Sequence, residues 1–285
     1  MPDQPAIDLA INTATTRRQW SLAQAIEGYA RAGIAAIGPW REELREMGPQ
    51  RAARQISDAG LKVSGLCRAG LLSVLDEAQF RAALDDNRRA IDEAASLGAD
   101  VIVLVAGGLP SGVVELTAVR ERVAEGIAAL IPDAKAAGVR LGIEPLHPIY
   151  AADRCVINTL DQALDLCDRL DPDGDNGLGV IVDTYHVWWD PGLAKAVDRA
   201  APRTLGYHIN DWMSPQTDPL NDRGMMGDGA IDLVGITRLV RSAGITLTPE
   251  VELFSDRWWA EDPDVVVQTC IDRWRAITAQ VIATD

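Results

Sequence analysis

Glu144 in LGIEP, Asp183 in VIVDTYH, His208 in GYHIND and Glu252 in PEVELFS each stand at the end of an apolar, strand-like run. Three carboxylates and one imidazole make a mixed oxygen and nitrogen donor set suited to Mn²⁺, Mg²⁺, Co²⁺ or Zn²⁺. One divalent ion is therefore the expected cofactor. His208 can serve because its neutral ring nitrogen is a good ligand at pH 7. An ion that meets a sugar's carbonyl and adjacent hydroxyl polarises the carbonyl as a Lewis acid. The neighbouring C–H then becomes acidic enough for a placed carboxylate to remove its proton. Glu144 and Glu252 come from strands three apart in order, so they can stand on opposite sides of a bound sugar and are the expected proton-transfer pair. Return of the proton to the opposite face is epimerisation. Return to the adjacent carbon is aldose–ketose isomerisation. Loss of a β-oxygen substituent from the same enediolate is elimination.

Other side chains suit the substrate better than the ion. His186 lies three residues past Asp183 in DTYHVWWDP, and His147 three past Glu144 in EPLHP; for both, a hydrogen-bonded loop residue is the alternative. Arg223 in NDRGMMGDGAID and Arg154 in YAADR are cations on long loops that could hold substrate oxygens. Glu250 shares a strand face with Glu252 because side chains alternate; it should sit deeper, beside the ion site. The chain has eight Trp and only two Phe, and Trp40, Trp188, Trp189, Trp212, Trp258 and Trp259 all follow strand candidates. Flat faces with an N–H handle suit a polyol, and Trp188 and Trp212 are the expected substrate contacts. Cys155 has no basic neighbour in sequence to make it a nucleophile. GDG at 227–229 and GGLPSG at Gly107–Gly112 lack the spacing and lysine of nucleotide-binding loops.

The elements that must position these residues alternate strand with helix. Eight strand candidates are Ile7–Asn12, Ala35–Gly38, Lys62–Leu66, Val101–Val105, Arg140–Pro145, Leu178–Asp183, Thr204–Ile209 and Leu247–Leu253. VIVLVAGG and LGVIVD are near-continuous apolar runs, as expected of parallel strands buried on both faces. Helices are expected over Ser21–Ala32, Asp76–Leu97, Thr117–Ala137, Thr159–Leu170, Ile231–Ala243 and Asp262–Gln280, with Pro132 kinking or breaking the third of them. This order predicts an α/β fold, a single (β/α)8 TIM barrel over residues 1–285, with the site at the C-terminal mouth of its strands. A doubly wound open sheet is the alternative. Long loops at Pro145–Asn158 and Asn210–Ala230 read as lids or binding loops. DPDGDNG at Asp171–Gly177 precedes a strand and so is only a turn on the far side.

Bulk properties narrow the function. With 47% hydrophobic and 24% charged residues the 285-residue chain is ordinary for a globular protein. A net charge of −15 disfavours nucleic acid, whose binding relies on Lys and Arg neutralising phosphates. No apolar run approaches the roughly 20 residues of a membrane span, and MPDQPAIDLA has no signal-peptide pattern. Cys67, Cys155, Cys167 and Cys270 form no CxxC pair. Reduced thiols and a cytoplasmic location are expected.

IEPLHP, VDTYHVWWDP, YHINDW, DRGMMGDGAID and EVELFS together resemble the sugar phosphate isomerase/epimerase superfamily, the xylose isomerase-like TIM barrels, over essentially the whole chain. The resemblance implies metal ligands at Glu144, Asp183, His208 and Glu252, proton transfer by the two glutamates, and substrate contacts from His186 and Arg223. It also implies a small carbohydrate substrate and suggests a homodimer. That scaffold hosts many reactions, and fold alone does not choose among them. The three histidines are too few for the histidine-rich trinuclear site of endonuclease IV, and the lysine-rich strand motif of large xylose isomerases is absent. A metal-dependent isomerase or epimerase of a keto-sugar or keto-inositol is the leading expectation, with manganese among the candidate ions. A lyase or dehydratase acting by β-elimination on a keto-glycoside or inosose comes second. A non-catalytic sugar-binding or partner subunit comes third.

Overall fold

Runs rich in Val, Ile and Leu pair into strands because both of their faces can be buried, and the amphipathic segments between them cover the outside. The structure, a computed structural model, describes residues 7–112 and 115–283; the ends of the expected domain, 1–6 and 284–285, lie outside the described residues. The strands are β1 (Ile7–Asn12), β2 (Ile34–Gly38), β3 (Lys62–Val63), β4 (Leu66–Gly70), β5 (Val101–Val105), β6 (Arg140–Ile143), β7 (Leu178–Asp183), β8 (Thr204–Ile209), β9 (Asp211–Trp212), β10 (Arg223–Gly224) and β11 (Glu250–Val251). Apart from the β9–β10 antiparallel pair, they form one parallel sheet in the order β3-β2-β1-β11-β8-β7-β6-β5-β4. Every residue of β5 and β7 is buried.

The two edges of that sheet are consecutive in sequence. The expected third strand is broken at Ser64–Gly65: β3 pairs with β2, and β4 pairs with β5. A parallel bridge between Trp40 and Cys67 joins the two sides. Counted as one strand, β3 and β4 close an eight-stranded barrel, so the expected TIM barrel is what forms, and the open-sheet alternative is not.

Two strands are shorter than expected. β6 stops at Ile143, since Pro145 has no N–H to donate, although Glu144 N still donates to Leu104 O at 3.0 Å. The eighth barrel strand shrinks to Glu250–Val251. Pro249 precedes it, and beyond it Thr15 replaces the ladder, its hydroxyl donating to Val251 O and accepting from Leu253 N.

The helices are α1 (Leu22–Arg31), α2 (Arg41–Met47), α3 (Pro49–Asp58), α4 (Glu77–Leu97), α5 (Leu116–Ala137), α6 (Leu160–Leu170), α7 (Thr184–Val187), α8 (Leu193–Ala200), α9 (Leu233–Ser242), α10 (Asp256–Trp259) and α11 (Pro263–Ile282). Ser21 starts α1 through a reciprocal capping box with Gln24, and left-handed Gly98 ends α4. Pro132 does not break α5. Leu130, Ile131 and Ala134 around it are buried in the core, and that packing outweighs one missing hydrogen bond. The charged α2 escapes hydrophobic pattern reading because ion pairs hold it: the nearly buried Arg41 meets Asp86 at 2.9 Å and Glu93 at 2.6 Å on α4.

Candidate metal centre and active site

Strand register gathers the donors. Asp183 at the end of β7 is the direct partner of His208 on β8, and His208 is in turn the partner of Glu250 on β11. Two residues on, Glu252 returns to the same side. Glu144 follows β6 on the other flank. One ligand atom from each of Glu144, Asp183, His208 and Glu252 lies within 4.8 Å of all the others, and all four residues are buried.

The polar contacts around this cluster are directional. His208 Nδ1 meets Glu144 Oε1 at 3.0 Å, and its Nε2 faces Glu250 Oε1 at 3.9 Å. Asn12 Nδ2 donates to Glu250 Oε1 at 2.7 Å, while its side-chain Oδ1 accepts from Trp40 Nε1 at 2.7 Å. Gly38 leaves the room that Glu250 needs, since a Cβ there would sit 2.3 Å from Glu250 Oε1. Glu250 thus sits outside the four-donor set, where it can hold the far nitrogen of the His208 ring. Arg223 Nη1 donates to Glu252 Oε2 at 3.0 Å and lies 3.6 Å from Asp183 Oδ2. Asp183 Oδ1 accepts from Tyr185 N, but Asp183 Oδ2 is buried with no hydrogen-bond partner among the described residues.

A buried, unpartnered carboxylate oxygen calls for an explanation. It lies among two more carboxylates and an imidazole, and a divalent cation fits this donor set. Burial pushes the Asp183 carboxyl up to about 6 and the Glu252 carboxyl up to about 7, against the pull of Arg223. Burial by itself lowers His208, but Glu250 and the hydrogen bond to Glu144 raise it to about 10. In the ion-free protein these three groups hold protons to higher pH than they do in the unfolded chain. The ion-free fold therefore loses stability as pH rises, through about 4–7 for the carboxylates and about 6.5–10 for His208. Ligands must shed their protons to bind a metal. Zn²⁺ or Mn²⁺ is accordingly expected to raise the melting temperature more at about pH 8 than at about pH 5.5, with roughly one proton released per ion. Thermal melts and calorimetry in buffers of different ionisation enthalpy check this; a pH-independent shift with no proton release would remove His208 from the ligand set.

The profile of the xylose isomerase-like TIM barrel family matches residues 26–276. The chain belongs to that family. Among curated proteins it is 22% identical to an inosose isomerase of Bacillus velezensis over 285 residues, covering 95% of this chain and 97% of the relative. Among solved structures, protein SMc04130 of Sinorhizobium meliloti 1021 is 52% identical, with a TM-score of 0.91 over 95% of this chain and 98% of that one. The IOLI protein, solved with a zinc atom, has a TM-score of 0.82 at 20% identity, over 96% and 98% of the two chains, a likeness of fold.

In this xylose isomerase-like barrel a cavity of about 520 Å³ opens at the strand ends over Glu144 and Glu252. His186 and Arg223 line it, and Arg154 does too. His186 is fully enclosed. Its Nδ1 accepts the His147 backbone N–H at 3.2 Å, which leaves the proton on Nε2, 3.7 Å from Asp183 Oδ2. Burial holds the ring neutral, with its pKa well below the ordinary imidazole value. Arg223 is placed by the β9–β10 pair and by Asp211, whose carboxylate accepts from the backbone N–H groups of Gly227, Gly229 and Ile231. Tyr150 and Tyr185 both donate to Pro219 O, tying the two long loops together.

Three of the expected substrate contacts stand beside this cavity. His147, Trp188 and Trp212 are not among the side chains lining the cavity. They pack on one another beside it: His147 stacks on Trp212 with centroids 4.5 Å apart, and Trp188 lies 5.8 Å from Trp212. This placement has a physical cause. The loop after β6 turns outward at the Pro148–Tyr150 turn, where His147 Nδ1 accepts from Ile149 N, so the ring faces the second long loop. The aromatic wall of the cavity is made by Trp40, Tyr150, Phe254 and Trp259. Sequence reading placed Trp40 and Trp259 at the mouth but missed Phe254, Arg17 and Arg68. The arginines' signal was their position just past the first and third strands. Cys155 is fully buried with its thiol on Ile157 O, and burial raises its pKa, so it is no nucleophile.

Proposed function

We propose that this protein is a divalent-metal-dependent isomerase or epimerase of a keto-sugar or keto-inositol. The observation that carries this is the pair of buried glutamates, Glu144 and Glu252, both facing one cavity and both in a four-donor cluster with the unpartnered Asp183 Oδ2. The 22%-identical inosose isomerase supports the substrate class.

When bound, a divalent ion would polarise the substrate carbonyl, held by Glu144, Asp183, His208 and Glu252. Glu252 lines the cavity beside the place a substrate would occupy and is positioned to move a proton. Arg223 fixes the carboxylate through Oε2. Glu144, held by His208, exchanges a proton with the substrate from a different strand. The neutral His186 presents Nε2–H toward Asp183 and the cavity and can donate to a substrate oxygen. Arg223, whose side chain lines the same cavity, can do the same.

All four cysteines are buried and unpaired, which suits a reducing compartment such as the cytoplasm, and among the described residues no helix is long and apolar enough to cross a membrane. A homodimer is part of the proposal, checked by sedimentation.

The test is solvent exchange. Metal-loaded protein incubated with keto-sugars and keto-inositols in D₂O is expected to return substrate deuterated beside the carbonyl. An unsaturated, ultraviolet-absorbing product would move the assignment to a lyase. Turnover with no deuterium uptake would rule out simple proton transfer by the two glutamates.

A further inference from the structure

Most of the remaining charged side chains on the cavity wall are cations, although the chain carries a net charge of −15. Arg17, Arg18, Arg68 and Arg154 line it, with Asp153 as the one carboxylate besides Glu144 and Glu252. Three of these arginines have carboxylate partners. Arg18 meets Asp256 at 2.7 Å, Arg17 meets Glu43 at 3.6 Å and Arg154 meets Asp153 at 3.7 Å. Arg68 has no carboxylate partner among the described residues. It is half-buried and follows Cys67 on the third barrel strand, and its guanidinium lies 6.0 Å from the centroid of the Trp40 ring. The Arg17 guanidinium lies 4.8 Å from the same ring.

Arg17 and Arg68 both lie against the Trp40 indole, and partial burial strips Arg68 of some hydration with no carboxylate in return among the described residues. A carboxylate or phosphate answers that cost, because it matches the forked guanidinium donors. We propose that the substrate carries an anionic group, a carboxylate or a phosphate, away from its reacting carbonyl, and that Arg68 binds this group with Arg17 beside it. This rests on the isomerase or epimerase assignment and narrows its substrate class to charged keto-sugars.

The test compares three related ligands on the metal-loaded protein: D-fructose, 5-keto-D-gluconate and D-fructose 6-phosphate. Titration calorimetry is expected to show one of the charged ligands bound roughly 10- to 100-fold more tightly than the neutral ketose, the worth of a hydrogen bond to a charged group. Which one it is separates carboxylate from phosphate. Arg68→Ala should bring that ligand to within about threefold of D-fructose, with part of the preference restored in Arg68→Lys. Arg68→Lys also keeps the test open if the alanine variant fails to fold. Equal binding of charged and neutral ligands overturns the proposal. So does a preference that survives in Arg68→Ala, which would put the anion on the ion itself. Deuterium exchange measured in parallel separates the two levels. No exchange with any ligand, beside an Arg68-dependent preference, fells the isomerase assignment and leaves the anion site. Exchange with no charge preference does the reverse.

Discussion

Glu252→Gln is expected to lower kcat by roughly 10²- to 10⁴-fold, the usual worth of a positioned acid or base. Glutamine keeps the size of the side chain and an oxygen to accept from Arg223, now 3.0 Å from Glu252 Oε2, so folding should survive. What it loses is the carboxylate that would carry the proton at the cavity wall. Deuterium uptake and metal content should be measured on the same preparation, since the carboxylate also serves the ion. A variant that keeps its metal and turns over within about tenfold of wild type would remove Glu252 from proton transfer. Glu144→Gln should behave alike, costing turnover more than folding.

Asp183→Ala is expected to bind no stoichiometric metal where the wild type binds one equivalent, as read by elemental analysis. Asp183 is fully buried, and its unpartnered Oδ2 belongs to the four-donor cluster. Alanine also removes the cap on Tyr185 N at the start of α7. Asp183→Asn, which keeps an oxygen for that bond and drops the charge, separates the two losses. An ion present at about 100 times its dissociation constant stabilises the native state by about 2.7 kcal/mol, or roughly 5–10 °C for a chain of this size. Both variants should lose this increment. A wild type with no metal even after reconstitution, or an Asp183→Ala protein that keeps its metal, would sink the shared first step of the mechanism.

The alternation of buried strand and capped helix is a local property. It was readable in Val101–Val105, in Leu178–Asp183, in the Ser21 cap and in the Gly98 stop, and it led to the barrel. The polar residues at strand ends were readable for the same reason: a carboxylate closing an apolar run is conspicuous, and a parallel barrel sends all such ends to one mouth. Loop residues were less legible. His147 and His186 both lie three positions past a strand-end carboxylate, yet His186 lines the cavity and His147 turns away to stack on Trp212. Spacing along the chain cannot separate them, because the direction of each loop is set by distant partners such as Pro219 and Asp211.

By itself, then, the sequence determined the strand order and six of the helices between the strands, and it singled out the four polar residues that cluster at the mouth, since hydrophobic period, caps and residue type are local. Only the tertiary structure decided that the third strand breaks at Ser64–Gly65 to close the barrel, and that Glu250 stands behind His208. It also decided that Trp40, Tyr150, Phe254 and Trp259 wall the cavity while Trp188 and Trp212 do not, and that Arg68 faces it without a carboxylate partner among the described residues. Each of these depends on register and loop packing between residues far apart in the chain, where the balance of burial and hydrogen bonding is settled across the whole fold.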